Sequence, residues 1–399
     1  MTERLFTRPF LLVSVANFTS GMAYALFLHF SGYLADLGAS DTQIGLIYGA
    51  TAVASIAMRP LLGTVMDRHG RVPVIMMGNV LNIVFVLLYL TVTTLGPWVY
   101  AVRIGHGVAE AMLFSALFTY GADVIPAARR TEGIALFGVS GLLPIGVAGI
   151  VGDLVLSIAG FRELFLTAAG FAVVTLVLSL PLPERRPELM PDESPRGFWK
   201  IVTKRDLLPI WWMIGSFSTV LTAYFVFIRR YVDDTGLGSV GLFFSMYVAV
   251  AVAERVLFGW LPDRVGRKRV LYPSLVVLIT GFLVLAGAGS WVGVAVAGAF
   301  CGAGHGFIFP ILTALLIDRA PDTDRGSAMS FYTALFDVGT LIGGPILGAI
   351  IDTAGWGPMY VTAGAALGVA TLVFARWDRR ATTFSSPIAS GVHRGEIPP

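Results

Sequence analysis

The sequence predicts an all-α membrane protein of twelve transmembrane helices in two related halves of six. Three observations predict it. Of 399 residues, 56% are hydrophobic and only 13% charged, with a mean hydropathy of +0.77, whereas water-soluble domains carry about a quarter charged residues. Twelve apolar runs reach the roughly 20 residues needed to cross a bilayer. A motif between two of those runs recurs about half a chain later.

The runs lie at 9–33, 43–66, 72–92, 97–120, 132–157, 161–180, 207–230, 239–261, 269–289, 291–317, 327–351 and 357–377. The first follows Arg4 and Arg8 and is too long for the roughly 7–15 residue apolar region of a signal peptide, so it is expected to remain as a span. The second and eighth each end in an Arg-Gly-Asp-rich turn that starts the next span. The fourth and tenth each contain a His within the run. The fifth and eleventh are Gly-rich, from Gly138 to Gly152 and from Gly339 to Gly348, which suits close helix packing. All twelve are expected to be helices, because open sheet edges cannot be satisfied in hydrocarbon and the runs are twice a barrel strand's length. Residues 181–206, rich in Pro, Glu, Arg and Lys, read as a linker between a half at 1–180 and a half at 207–380. The polar stretch 381–399 reads as a disordered tail.

Charge placement sets an expected direction. With the N-terminus in the cytoplasm, 22 of the 28 Lys and Arg residues fall in inside segments, Arg162, Arg229 and Arg230 fall outside, and Arg59, Arg103 and Arg255 lie within spans. This predicts an inner-membrane protein with both termini cytoplasmic and the lipid bilayer as its surroundings. A net charge of +3 spread over short turns points to no nucleic-acid partner. The single Cys301 excludes a disulfide framework and a thiolate metal cluster, and no His or Cys spacing suits a metal.

The repeat is specific. Arg59, Gly63, Asp67, Arg68, Gly70 and Arg71 recur, each displaced by 196, as Arg255, Gly259, Asp263, Arg264, Gly266 and Arg267; Asp123, Pro126 and Arg130 recur, displaced by 195, as Asp318, Pro321 and Arg325. Two parallel six-helix repeats are the expected reading. The doubled G-x-x-x-D-R-x-G-R pattern resembles the loop signature of the major facilitator superfamily. The run Arg103-Ile-Gly-His-Gly107-Val-Ala-Glu-Ala111 is similar to a pattern of its proton-coupled members. The fifth span, with Gly141, Pro144, Gly146 and Gly149, is similar in part to the antiporter signature of its drug exporters, with Leu143 where a Gly stands in that signature. The resemblance implies two pseudo-symmetric six-helix bundles around a central cavity lined by the first, fourth, seventh and tenth spans. It also implies a small-molecule substrate, a functional monomer and no cofactor beyond a coupling proton.

Within that frame the loop signatures are gate candidates. Asp67 and Asp263 are placed to cap a helix of the opposite half, and Arg71 and Arg267 to pair with Asp123 and Asp318. Positive-inside insertion alone accounts for the arginines but not for the repeated Asp and Gly spacing.

Ionisable groups inside spans cost about 2.5–3.5 kcal/mol each on insertion scales, so each is a functional candidate. Arg103, His106 and Glu110, at i, i+3 and i+7, share one face of the fourth span. The 195-residue repeat maps Glu110 onto His305, and the resemblance places the two across the pathway from each other. An Arg103–Glu110 pair that only holds helices together is the competing reading. Arg59 and Arg255 suit either snorkelling or substrate contact. Glu254 needs a partner other than Arg255, and Asp337 near mid-span suits a second proton site or an interhelical hydrogen bond. Asn17, Tyr24, Ser218, Thr222 and Tyr224 are polar candidates for the cavity wall or for interhelical hydrogen bonds.

A secondary transporter moving a small organic solute by alternating access is therefore expected, with proton-coupled efflux ahead of proton-coupled uptake. No G-x-x-x-x-G-K-[ST] loop supports ATP hydrolysis. No nucleophile–base or metal constellation supports an intramembrane enzyme, and no output domain supports a sensor.

Overall fold

The computed structural model describes residues 5–126, 130–184, 201–320 and 325–382, and for Pro60, Gly63, Thr64, Asp67, Arg68, residues 130–132, Ala135, residues 325–327 and residues 379–382 the backbone only. The described residues are helical throughout, joined by short turns, with no strand among them. Along the chain run α1 (Arg8–Asp36, tightened to a 3₁₀ turn at Leu26–His29), α2 (Asp41–His69), α3 (Arg71–Leu88), α4 (Pro97–Asp123), α5 (Arg130–Ile158) and α6 (Phe161–Ser179). Then come α7 (Leu208–Thr235, interrupted after Phe225), α8 (Val240–Phe258), α9 (Arg267–Ala286), α10 (Trp291–Arg319), α11 (Arg325–Ala354) and α12 (Trp356–Thr382). Eleven of these are long and apolar enough to cross a membrane. The remaining long helix is α2, of 29 residues.

Local chemistry sets the ends. Thr7 caps α1, accepting from Phe10 N–H at 3.4 Å. Ser40 and Gln43 form a reciprocal capping box on α2, and Ser239 accepts from Leu242 N–H at the start of α8. One glycine at positive φ separates α2 from α3, Gly70 at +93°, and Gly266 at +108° precedes α9 after a one-turn helix Leu261–Val265. An L side chain is strained at both angles, so the last Gly of each repeated motif is a backbone requirement. Two helices outrun the expected spans. α7 continues through Ile228–Thr235 because Arg229 and Arg230 pair with Asp233 and Asp234 one turn on, at 2.7 and 2.8 Å. α12 reaches Thr382, past the expected start of the tail. Of the expected linker, residues 185–200 lie outside the described residues, as do residues 383–399 of the tail.

The most extensive packing joins α2 to α11, and α5 also packs on α8; these two seams connect the set α1–α6 with the set α7–α12, and the other extensive contacts lie within each set. The aromatic core of the first set gathers Phe27, Phe30, Tyr89 and Phe165; that of the second gathers Tyr224, Phe243, Phe244 and Tyr247. Where the seams close, glycines remove the side chains that would hold the helices apart. A methyl group on Gly45 or Gly344 would collide with the backbone of the other. One on Gly348 would strike the Asp41 carbonyl, and one on Gly149 would lie 3.0 Å from Gly241 Cα.

Candidate functional site

The seams are latched at the end of the bundle remote from the start of α1. Asp352, at the end of α11, accepts from the N–H groups of Asp41 and Thr42 at 2.9 Å each and from the Thr42 hydroxyl at 2.6 Å. Asp153, at the end of α5, accepts from the N–H of Gly241 at 2.6 Å. In each case a carboxylate from one set of helices satisfies the free N–H groups that open a helix of the other, where the helix dipole favours negative charge. Asp153 and Asp352 are 199 residues apart, as are Gly149 and Gly348, and Ser40 and Ser239. Two arginines brace the same end: Arg230 lies 3.3 Å from Asp41 and Arg229 lies 4.0 Å from Asp153. His29, fully buried, has Nδ1 3.8 Å from Asp153. None of the latch carboxylates was singled out by the sequence reading.

Near mid-height the α2–α11 seam holds an ion pair. Arg59 donates to Asp337 Oδ2 from Nη2 at 2.6 Å and from Nε at 3.0 Å, while Nη1 donates to Thr333 Oγ1 at 2.8 Å. Ser55 donates to the same Asp337 oxygen at 2.8 Å. Arg59 is thus bonded across the seam rather than snorkelling, and Asp337 makes the interhelical hydrogen bonds expected of it: the pair ties α2 to α11, the bidentate-capable guanidinium fixing their relative height.

Beside that pair, Arg103, His106 and Glu110 line one face of α4, as their spacing implied, and Tyr89 links them. Arg103 Nη1 donates to the Tyr89 hydroxyl at 3.2 Å, and that hydroxyl lies 3.3 Å from His106 Nδ1. His106 Nε2 sits 3.1 Å from Asn82 Oδ1 and 3.2 Å from Glu110 Oε1. Among the described residues Arg103 forms no ion pair with a carboxylate; its guanidinium lies over the rings of Tyr48 and Phe30 at 4.9 and 5.1 Å. Glu110 Oε1 is buried, facing His106 Nε2. Tyr24, on α1, is 59% exposed, yet its charged neighbours are Glu110, Arg103 and Asp337. An exposed tyrosine among interior charges marks open space beside the α4 stripe.

His305 stands on α10 in an aromatic enclosure of its own. Its Nδ1 is hydrogen-bonded to the Tyr247 hydroxyl, and Phe217, Phe225 and Phe309 surround the ring. The structure thus holds Glu110 against His106 and His305 against Tyr247, with no direct contact between Glu110 and His305. Arg255 donates from Nε to Gly306 O at 3.1 Å, and Glu254, its neighbour, has Oε2 buried without a hydrogen bond. Asn17 donates to Ser140 Oγ at 2.9 Å, joining α1 to α5, and Ser218 donates to Leu335 O, joining α7 to α11. Tyr224 and Thr222 are buried among their own helices, Tyr224 between Phe243 and Tyr247. They pack rather than line open space.

At the other end, the repeated signatures form pairs within each set. Arg71 Nε lies 3.2 Å from Asp123 Oδ2, and Arg267 contacts Asp318. Asp263, exposed, lies 3.6 Å from Arg267. The start of α3 is capped from its own set, by Glu184, which accepts from Arg71 N–H at 2.9 Å and Val72 N–H at 3.2 Å. Arg264 stacks on Trp260, its guanidinium 5.1 Å from the ring centroid. Gly63, Asp67 and Arg68 sit in α2, whose side chains there lie outside the described residues.

The chain matches the Major Facilitator Superfamily model over residues 10–253 and 233–394, and it belongs to that family of membrane transporters, which are not enzymes. It is 25% identical to the staphylopine export protein of Staphylococcus aureus (strain Mu50) over 375 residues, covering 89% of this chain and 92% of that protein. Among solved structures it resembles the human organic anion transporter MFSD10, with a TM-score of 0.68, 16% identity and coverage of 92% of this chain and 99% of that one. It also resembles the nucleoside transporter NupG, with a TM-score of 0.75, 14% identity and coverage of 96% and 100%.

Proposed function

We propose that the protein is a proton-coupled exporter, acting as a monomer in the inner membrane with both termini in the cytoplasm. It then has twelve spans, α2 included, in two pseudo-symmetric six-helix halves. In this orientation the Asp153 and Asp352 latches close the outer face, and the state described opens inward.

The observation that carries the reading is Glu110. Its Oε1 is buried against His106 Nε2, at the end of the Arg103–Tyr89–His106 chain and beside the open space at Tyr24. A carboxyl group there exchanges a proton with the cavity, and its charge changes the balance of a site whose other fixed charges are Arg103 and the Arg59–Asp337 pair. Protonation and substrate occupancy then compete for one electrostatic environment, which is what exchange requires. Export is favoured over uptake by the full-length likeness to a protein named for staphylopine export; uptake symport is the alternative for the same site.

Everted membrane vesicles test direction and coupling together. With an imposed inward-acid gradient, addition of a substrate should dissipate the gradient and the substrate should accumulate inside. Accumulation driven by the opposite gradient would establish uptake instead.

A further inference from the structure

The two membrane arginines of the repeated motifs, Arg59 and Arg255, are placed alike on α2 and α8, and they are neutralised differently. Arg59 meets Asp337 of α11 across its seam, bonded through two nitrogens. On α8, fourteen residues separate Arg255 from Gly241, as fourteen separate Arg59 from Gly45 on α2, so its backbone position continues the face that carries Gly241 and Val248 against α5, while its side chain turns to Gly306 of α10. From Gly133 to Gly152, α5 carries no Asp or Glu. Eleven residues from Gly149, where α11 has Asp337 eleven residues from Gly348, α5 has Gly138, and a methyl group added there would meet nothing within 4 Å.

The cation is held but not answered. Nε of Arg255 is fixed by Gly306 O at 3.1 Å; Glu254 acts on it electrostatically, yet no carboxylate of the described residues lies within 4 Å of the guanidinium. The terminal nitrogens have no partner among the described residues. A few residues along α5, Asn17 and Ser140 form a neutral hydrogen-bonded pair, and Gly141 leaves Asn17 Nδ2 as the group nearest its own missing side chain, at 3.4 Å. The place thus combines a planar, weakly hydrated cation, a neutral donor and room for a small group.

We propose that Arg255 is the anion subsite of the transport cavity, taking a carboxylate of the substrate in the position that Asp337 holds against Arg59. The substrate is then an organic anion or zwitterion. A guanidinium presents parallel N–H donors to a carboxylate, so the preference is for planar carboxylates over chloride. When the substrate binds, its carboxylate gives the α5–α8 seam the ion pair that the α2–α11 seam has permanently. This assignment rests on the transporter reading but not on the direction of transport or on proton coupling.

The test is thermal unfolding of the purified full-length protein in detergent with acetate, succinate, citrate or glutamate, each against chloride at equal ionic strength. At least one carboxylate is expected to raise the unfolding temperature in a saturable way. Arg255→Gln should weaken the half-saturating concentration by roughly tenfold or more, and Arg255→Lys by less, since the charge remains while the planar fork is lost. Gly138→Asp should itself supply the carboxylate: it abolishes the ligand-induced shift in the Arg255 protein and raises the basal unfolding temperature there, and does not raise it in Arg255→Gln. Arg162→Gln, at the remote end, serves as the control and keeps the shift. Absence of a saturable shift with every carboxylate in the native protein, or a shift unchanged in Arg255→Gln, overturns the assignment. Loss of pH-driven flux with carboxylate binding intact would count against the proton-coupled reading alone.

Discussion

Removing the Asp352 carboxylate measures how firmly the remote face is shut. Asp352→Ala deletes three hydrogen bonds, to Asp41 N–H, Thr42 N–H and the Thr42 hydroxyl. Ser40 does not replace them, because its side chain serves the N–H of Gln43. Loss of an N-terminal helix cap costs about 0.5–2 kcal/mol, and this carboxylate is solvent-exposed and bonds two N–H groups, so about 1–2 kcal/mol is the working figure. The cost falls only on the state in which α2 and α11 touch. A two-state equilibrium then moves toward opening of the remote face by about five- to thirtyfold, since about 1.4 kcal/mol is a factor of ten. The assay is alkylation of a cysteine placed at Leu341, which packs against Gly49 in this seam, in a Cys301→Ala background. With opening rare, the labelling rate reports its population directly and should rise by the same factor, while the unfolding temperature stays near that of the parent. An unchanged rate in both Asp352→Ala and Asp153→Ala would show that the capping carboxylates decorate the seam without holding it.

Three further outcomes follow from the same contacts. Gly348→Leu places a side chain against the Asp41 backbone and should raise Leu341→Cys labelling more than Asp352→Ala does; an equal or slower rate would mean the seam relaxes around the added bulk. Asp337→Asn leaves Arg59 in the seam without its counter-charge, a loss of about 2 kcal/mol or more for a largely buried pair, seen as a lower unfolding temperature; an unchanged temperature would show that Thr333 and solvent satisfy Arg59 on their own. If the motif carboxylates latch the cytoplasmic ends in the alternate state, Asp67→Asn and Asp263→Asn should each slow transport while leaving abundance in the membrane intact, and unchanged transport in both would return these residues to a role in insertion.

The helices were legible because hydrocarbon leaves the backbone no alternative and because caps and motif glycines punctuate the runs. Expected and observed ends differ by a few residues, except where the paired charges after Ile228 sustain α7 beyond its apolar run. The stripe Arg103, His106, Glu110 was legible from period alone, but its links were not. Tyr89 comes from the 3₁₀ turn that follows α3, and no spacing within α4 reveals a tyrosine from a neighbouring element. The Arg59–Asp337 pair was hidden for the same reason, its members being 278 residues apart. The latch at the remote face left a signal that went unread. Its carboxylates repeat at 199 residues, whereas the loop motifs repeat at 196 and the ends of α4 and α10 at 195. Differences of three or four residues amount to about one helical turn, which preserves the face a residue occupies while breaking an ungapped alignment. Tyr224 shows the converse: a polar residue on a cavity helix is legible, but which way it points is decided by the surrounding Phe243, Phe244 and Phe282.

Coupling at Glu110 is tested most directly by separating driven accumulation from exchange. Proteoliposomes containing Glu110→Gln are compared with the parent, using a substrate found by the carboxylate screen, with and without an imposed pH difference and beside a binding measurement. Gln keeps the shape and hydrogen-bonding capacity of a protonated Glu while removing the titration. The account predicts that Glu110→Gln binds substrate and equilibrates it, with accumulation no longer responding to the pH difference. Full pH-driven accumulation by Glu110→Gln would contradict it.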